Sequence, residues 1–273
     1  GPGPPAVGPH DAYRVARYRD SLKVAIMWAN HNPPGTHSAD DWLKVASHWI
    51  ERYFPLPGYY RIDGKPAVFI WNPQGIREDL GGSQAVREVF DKSKEMARDA
   101  GFGGITLIAM GYDFSGGHIQ ALKDEGYFGI TTYHEWGSGI DGQVTAKLFQ
   151  YDEVVTRSPA AWQRRNELAD GLTYYPLVDT GWDSRPWHGG KAMVIEGRTP
   201  LLFEELLRRA KTFCKDKGKG IVILGPVNEW GEGSYIEPCT EFGFEMLEAV
   251  RRTFATGSPA DWPINLSPSD VGL

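Results

Sequence analysis

Apolar positions in this chain fall into two alternating patterns. Short contiguous apolar runs are each followed by a stretch with apolar residues three and four apart. Lys23–Ala29 (KVAIMWA) is the first run and predicts a strand ending at Asn30 and His31. Trp42, Val45, Ala46, Trp49 and Ile50 then recur at helical spacing, predicting a helix over Ala39–Phe54 with Ser38 as its N-cap. Tyr59–Ile62, an Asp63–Gly64 turn and Ala67–Trp71 read as an extended segment leading into the second strand. A helix over Ser83–Ala100 closes at Gly101. The third strand is Gly104–Met110, followed by a helix over Gly117–Glu125, and the fourth is Gly129–Tyr133. A helix over Ser158–Ala169 precedes the fifth strand, Leu172–Val178. Pro200–Lys217 begins with proline and is followed by Gly218, the expected helix punctuation. Gly220–Leu224 is the sixth strand and Phe242–Phe254 the last helix.

Repeated β–α units imply a parallel sheet covered by helices. Polar and aromatic residues gather just after the strands, as on the C-terminal face of a (β/α)8 TIM barrel, where the βα loops build the active site. The expected organisation is one barrel domain over 21–256. Residues 1–20 would be a tag remnant and linker, and 257–273 an irregular tail. An open doubly wound sheet is the alternative, weakened by the lack of a GxGxxG or P-loop segment. About six β–α units are visible, so the barrel reads as incomplete, with two units missing at the N-terminal side. That leaves room for a further chain or segment to complete it.

Composition narrows the functional classes. The 273 residues carry a net charge of −6, which gives nucleic-acid binding no electrostatic support. No apolar run approaches the roughly 18–20 residues of a membrane span. No charged stretch precedes an apolar one at the start, so no signal peptide is expected and the compartment stays open. Cys214 and Cys239 belong to no CxxC pair, so a zinc site is not expected, while one disulfide stays open. The 10 tryptophans matter because indole fills cores and also stacks on sugar rings.

The strand ends supply the candidate chemistry. Trp28, Asn30 and His31 close the first strand, and Trp71 and Asn72 the second. Each set reads equally as sugar contacts or as a core tryptophan with a turn-forming asparagine. Tyr112 follows the third strand, and Tyr133, His134, Glu135 and Trp136 the fourth. After the fifth come Asp179, Trp182, Asp183, Arg185 and Trp187, with Arg185 able to hold a neighbouring Asp or meet an anionic group. The last strand leads into Pro226–Pro238 (PVNEWGEGSYIEP), where Glu229 and Glu232 stand among Asn228, Trp230 and Tyr235. Two carboxylates among sugar-sized aromatic faces suggest acid/base chemistry on a carbohydrate. A helix-capping role for Glu229 is the plainer alternative.

NEWGEGSYIEP resembles the signature of the endo-α-mannosidase family, glycoside hydrolase family 99, and of the broader WbsX-like, family-99-like group found with polysaccharide gene clusters. WAN, YHEW, GWDSRPW and FGFEMLEAV fit the same pattern in the same order, from about Lys23 to Phe254. The resemblance implies a (β/α)8 barrel, no cofactor or metal, and an oligosaccharide or polysaccharide substrate. It implies Glu229 as general base and Glu232 as general acid. The base would deprotonate the sugar's own 2-hydroxyl, giving a 1,2-anhydro intermediate that water opens with net retention on α-mannosides or α-rhamnosides. Gly231 stands where family 99 tends to carry His, and Trp182 where Tyr is common; both are closer to the WbsX-like branch. Two other readings remain: a non-hydrolytic carbohydrate-binding or polysaccharide-assembly protein, and a glycosyltransferase, which the absence of a DxD motif or phosphate-cradling loop disfavours.

Overall fold

The computed structural model describes residues 13–17, 19–31, 33–135, 148–261 and 264. The chain divides into two compact units, Gly1–Gly111 with Ser115–Ile130, and Tyr112–Phe114 with Thr131–Leu273.

In the first unit, β1 (Ile26–Trp28) is followed by α1 (Ala39–Arg52). Ser38 caps α1, its hydroxyl accepting from the Asp41 N–H at 3.1 Å. β2 (Arg61–Ile62) and β3 (Lys65–Ile70) form an antiparallel hairpin through Asp63 and Gly64. Both turn residues have positive φ, 50° and 77°, as a two-residue hairpin turn requires. β3 pairs in parallel with β1 on one side and with β4 (Thr106–Met110) on the other. Two helices, α2 (Pro73–Leu80) and α3 (Ser83–Asp99), separate β3 from β4. α4 (Gly116–Glu125) then leads to β5 (Gly129–Thr131), which adjoins β4.

The middle of this sheet is apolar on both faces. Ala67, Val68, Ile70, Leu107, Ile108 and Ala109 are all buried, as expected for parallel strands with helices on the outside. α2 was not expected from the apolar pattern, because its eight residues bury only Pro73 and Ile76. Its termini were nevertheless written in the sequence: Asn72 accepts from the Gly75 N–H at 2.9 Å, Pro73 opens the helix, and Gly81 closes it at φ 87°. Arg77 of α2 forms a partly buried ion pair with Glu125 of α4, and Ser83 Oγ of α3 donates to the same carboxylate at 2.9 Å.

In the second unit, β6 (Leu148–Gln150) runs directly into α5 (Tyr151–Leu168). The helix starts seven residues before the expected Ser158, and Pro159 lies inside it. Proline has no N–H for the Val155 carbonyl; Arg209 supplies one instead, donating to that oxygen at 3.1 Å. The expected fifth strand is two short ones, β7 (Thr173–Tyr174) and β8 (Leu177–Asp179), divided at Tyr175–Pro176. β9 (Trp182–Asp183), the short helix α6 (Arg185–His188) and β10 (Val194–Glu196) follow. β10 pairs in parallel with β6 and antiparallel with β9. α7 (Pro200–Asp216) is capped by Thr199, and β11 (Ile223–Gly225) pairs in parallel with β8. β12 (Asn228–Glu229) and β13 (Ser234–Tyr235) form a hairpin, and α8 (Glu245–Phe254) ends the regular structure.

Among the described residues the strand pairings do not close into an eight-stranded ring. Cys214 and Cys239 are both free, so the disulfide left open by the sequence is not formed. No described helix is long and apolar enough to cross a membrane.

Candidate active site

The β12–β13 hairpin carries the two carboxylates. Glu229 ends β12, and Glu232 closes a 3-10 turn over Trp230–Glu232. Glu229 is exposed and makes no capping hydrogen bond with its side chain, so the helix-cap alternative has no support here. Gly233 follows at φ 65°, a left-handed conformation. A Cβ there would lie 2.7 Å from the Asp183 Cβ and 2.8 Å from its backbone nitrogen. Only glycine lets the hairpin approach β9 this closely. Ser234 Oγ reinforces the approach by donating to the Gly181 carbonyl.

Glu232 has the distinctive environment. Its Oε2 is buried and has no hydrogen-bond partner. Burial, followed by the negative charge of Glu229, raises its pKa; His134, a hydrogen bond from Tyr133, and His188 oppose the rise. The Tyr133 hydroxyl is raised in turn, first by burial and then by the charges of Glu232 and Glu229. Tyr133 is thus hydrogen-bonded to Glu232 and within electrostatic reach of Glu229. The two glutamates differ in solvent access, as a protonated acid and an ionised base would require.

Behind Tyr133 is a buried polar network. His134 and Glu135 are 1% and 2% exposed. His134 Nδ1 lies 2.6 Å from Asp179 Oδ1, and the Glu135 N–H donates to Asp179 Oδ2 at 2.7 Å. Burial raises the Asp179 pKa, against the opposing hydrogen bond from His134. The Glu135 carboxylate pairs with Arg165 and also accepts from Thr132 Oγ1 at 3.0 Å and from the Tyr174 hydroxyl at 3.2 Å. These contacts make Glu135 and His134 supports for the strand end. The Tyr112 hydroxyl joins them by accepting from the His134 N–H at 3.1 Å. The His134 ring meets Trp182 edge-on at 4.6 Å.

The remaining expected residues of this unit lie around the hairpin. Asn228 is exposed and sits opposite Tyr235 in the β12–β13 register. Trp230 and Tyr235 stack at 4.1 Å with 14° between their planes. Trp230 Nε1 donates to Glu237 at 2.8 Å. Arg185 grips Asp183 locally, its Nε donating to Oδ1 at 2.8 Å and to Oδ2 at 2.9 Å, and this hydrogen bonding lowers the Asp183 pKa. Trp187, on α6, is 69% exposed. Trp136 falls outside the described residues.

A cavity of about 500 Å³ brings Trp182, Asp183, Arg185 and Tyr235 together with Glu196, Arg198 and Glu241. Glu229 and Glu232 do not line it. Arg198 was not singled out from the sequence, although it braces the hairpin by donating to the carbonyls of Thr180, Gly233 and Tyr235. Its guanidinium also lies 4.4 Å from the centre of the Tyr235 ring. His188 was missed as well; only its electrostatic effect on Glu232 reveals it.

The first unit holds the other strand-end residues. Trp28 packs edge-on against Trp42 at 5.4 Å and Trp49 at 5.9 Å, which makes it part of an aromatic core. Asn30 is buried; its amide donates to the Asn72 carbonyl at 3.0 Å and accepts from the Asn72 N–H at 2.9 Å. It thus ties β1 to the segment after β3. His31 and Trp71 lie 5.3 Å apart, ring centre to ring centre. Asp79 accepts from the backbone N–H groups of His37 and Gly35 and from the His37 ring.

These hydrogen bonds, the His37 N–H first, hold the Asp79 carboxyl down at about 2. A depressed carboxyl stabilises the fold above its unfolded pKa of roughly 4, and that contribution is lost as pH falls through about 2. Asp79→Asn should therefore lower thermal stability at neutral pH and flatten its decline between about pH 4 and pH 2. Thermal unfolding across that range measures both effects, and parallel wild-type and variant curves would contradict them.

The Glycosyltransferase WbsX family model matches residues 17–250. The chain belongs to that family. It is also 26% identical over 225 residues to the uncharacterized protein WxcX of Xanthomonas campestris pv. campestris. That match covers 79% of this chain and 30% of the relative, so the chain spans less than a third of the curated relative's length. Among solved structures, the GH99 endo-alpha-mannosidase from Bacteroides thetaiotaomicron superposes with a TM-score of 0.58 at 18% identity, over 89% of this chain and 67% of that one. A glycoside hydrolase-like protein superposes with a TM-score of 0.58 at 18% identity, over 80% and 61%. The family member described here therefore has an α/β fold of the TIM-barrel type shared with glycan-active enzymes.

Proposed function

We propose that this WbsX-family chain is a glycosidase acting on α-linked glycans of the α-mannoside or α-rhamnoside kind. The observation that carries the reading is the unequal environment of two neighbouring glutamates. Glu232 has a buried carboxyl oxygen and a raised pKa, while Glu229 is open to solvent. Glu232 is suited to hold a proton and deliver it to the leaving oxygen. Glu229 is suited to remove the proton from the sugar's 2-hydroxyl, whose oxygen then attacks the anomeric carbon. The leaving group departs with the proton from Glu232, and the resulting 1,2-anhydro sugar is opened by water with net retention. Tyr133, hydrogen-bonded to Glu232, would orient the acid, and the exposed indoles of Trp230 and Trp187 would stack on pyranose rings.

The test is to incubate the chain with α-linked mannan and rhamnan oligosaccharides, measure reducing ends, and follow the first-formed anomer by NMR. Release of product with retained configuration is expected. Inverted product would reject the 2-hydroxyl route.

The family's description favours a second reading, transfer of a glycosyl group from an activated donor. Consumption of a nucleotide sugar in the presence of an acceptor glycan, with no reducing ends released, would select it. Saturable glycan binding without either reaction would instead select a non-hydrolytic role in polysaccharide assembly.

A further inference from the structure

Two glycines flank Glu232, and they serve different purposes. Gly233 has a left-handed backbone and is required by the turn. Gly231 is not among the residues with positive φ, so the backbone at 231 would accept any side chain. What a side chain there would meet is Trp187, which would have to give by a few tenths of an ångström. A Cβ at 231 would come within 3.1 Å of Trp187 Cζ2, 3.3 Å of Nε1 and 3.4 Å of Cε2, closer than ordinary van der Waals contact. It is the Nε1–Cζ2 edge of the indole that meets the glycine. With the ring 69% exposed, its flat faces remain available.

The position of Trp187 is built. α6 is joined to β9 by the Asp183–Arg185 pair, and the N–H groups of Trp187 and His188 both donate to the Ser184 carbonyl, at 3.0 and 2.9 Å. α6 packs against the Trp230–Glu232 turn. A large apolar ring held by its edge, with its faces in water, is poorly explained by core packing. The neighbouring Trp230 is 48% exposed and has one face covered by Tyr235.

We propose that Gly231 and Trp187 form one specificity element. The missing side chain between the two carboxylates lets the Trp187 indole settle on the turn, where it forms a stacking platform for a neutral pyranose ring next to the one whose bond is cleaved. The ligand is then a glycan of at least two residues, and a side chain at 231 would push the platform off the turn. The inference rests on the glycan-active reading above.

Gly231→Ala, Trp187→Ala and the double variant test it by calorimetric titration with α-linked mannotetraose and rhamnotetraose. Each single variant should weaken binding of the preferred glycan by about tenfold. The double variant should be no weaker than Trp187→Ala, because the alanine acts by displacing the indole. Acrylamide quenching of tryptophan fluorescence should rise in Gly231→Ala, and the same change in a Trp187→Phe background should leave quenching unaltered. Wild-type binding that survives Trp187→Ala unchanged would overturn this inference and leave the glycan reading standing. Losses that add in the double variant would also overturn it. No wild-type binding to either glycan would overturn both.

Discussion

Glu232→Gln should lower turnover of an unactivated α-glycan by about 10²–10⁴-fold, the usual worth of a positioned general acid. Glutamine keeps the shape of the side chain but has no proton to give. The loss should depend on the substrate. An aryl glycoside with a good leaving group needs little protonation, so the variant should recover most of its rate on it. Glu229→Gln should be equally slow on both substrates, because removal of the 2-hydroxyl proton does not depend on the leaving group. Steady-state rates with the two substrate classes separate the roles. Equal losses in Glu232→Gln on both would refute the assignment of Glu232 as the acid.

The pH dependence follows from the direction of the Glu232 shift. Its pKa is raised, principally by burial, so activity that needs its proton should fall as pH rises through that value. The same shift also carries a cost in stability. A carboxyl whose folded pKa exceeds its unfolded one favours folding most below the unfolded pKa and loses that contribution as pH rises through the folded one. Glu232 thus burdens the folded state at neutral pH, and Glu232→Gln should melt slightly higher than wild type while being far less active. Such a trade is common where a site holds a group in an unfavourable environment.

Glu135→Ala should be among the most destabilising single substitutions, costing about 3–5 kcal/mol. The strand-end pattern YHEW suggests a residue for gripping sugar, but its carboxylate is buried and held by Arg165, Thr132 and Tyr174. Removing it takes the paired carboxylate away from the Arg165 guanidinium, whose side chain is only 3% exposed. Denaturant or thermal unfolding measures the loss. A sugar-binding role alone predicts the reverse pattern, with near wild-type stability and a raised KM.

Local signals account for much of what was legible in the sequence. α1, α3 and α7 bury apolar stripes, and α1 starts at the Ser38 cap and α7 at the expected proline, Pro200. The Asp63–Gly64 turn was readable because positive φ at both positions restricts the residues that fit. β6, β9, β10 and the β12–β13 hairpin were not readable. Each strand is two or three residues long, too short to show a period, and β6 and β10 find each other across the whole of α5. The early start of α5 was hidden because Pro159 is an ordinary first-turn residue until Arg209, 54 positions from Val155, satisfies the freed carbonyl.

The carboxylate pair, its glycines and its aromatic neighbours are contiguous, so the NEWGEGSY stretch names the candidate chemistry before any folding is known. The division of labour between the two carboxylates is different in kind. The burial of the Glu232 oxygen, the pairing of His134 with Asp179 45 residues away and of Glu135 with Arg165 30 residues away, and the seat of Trp187 against Gly231 depend on distant parts of the second unit. Desolvation and charge pairing are sums over whichever atoms lie nearby, and chain order does not specify those neighbours.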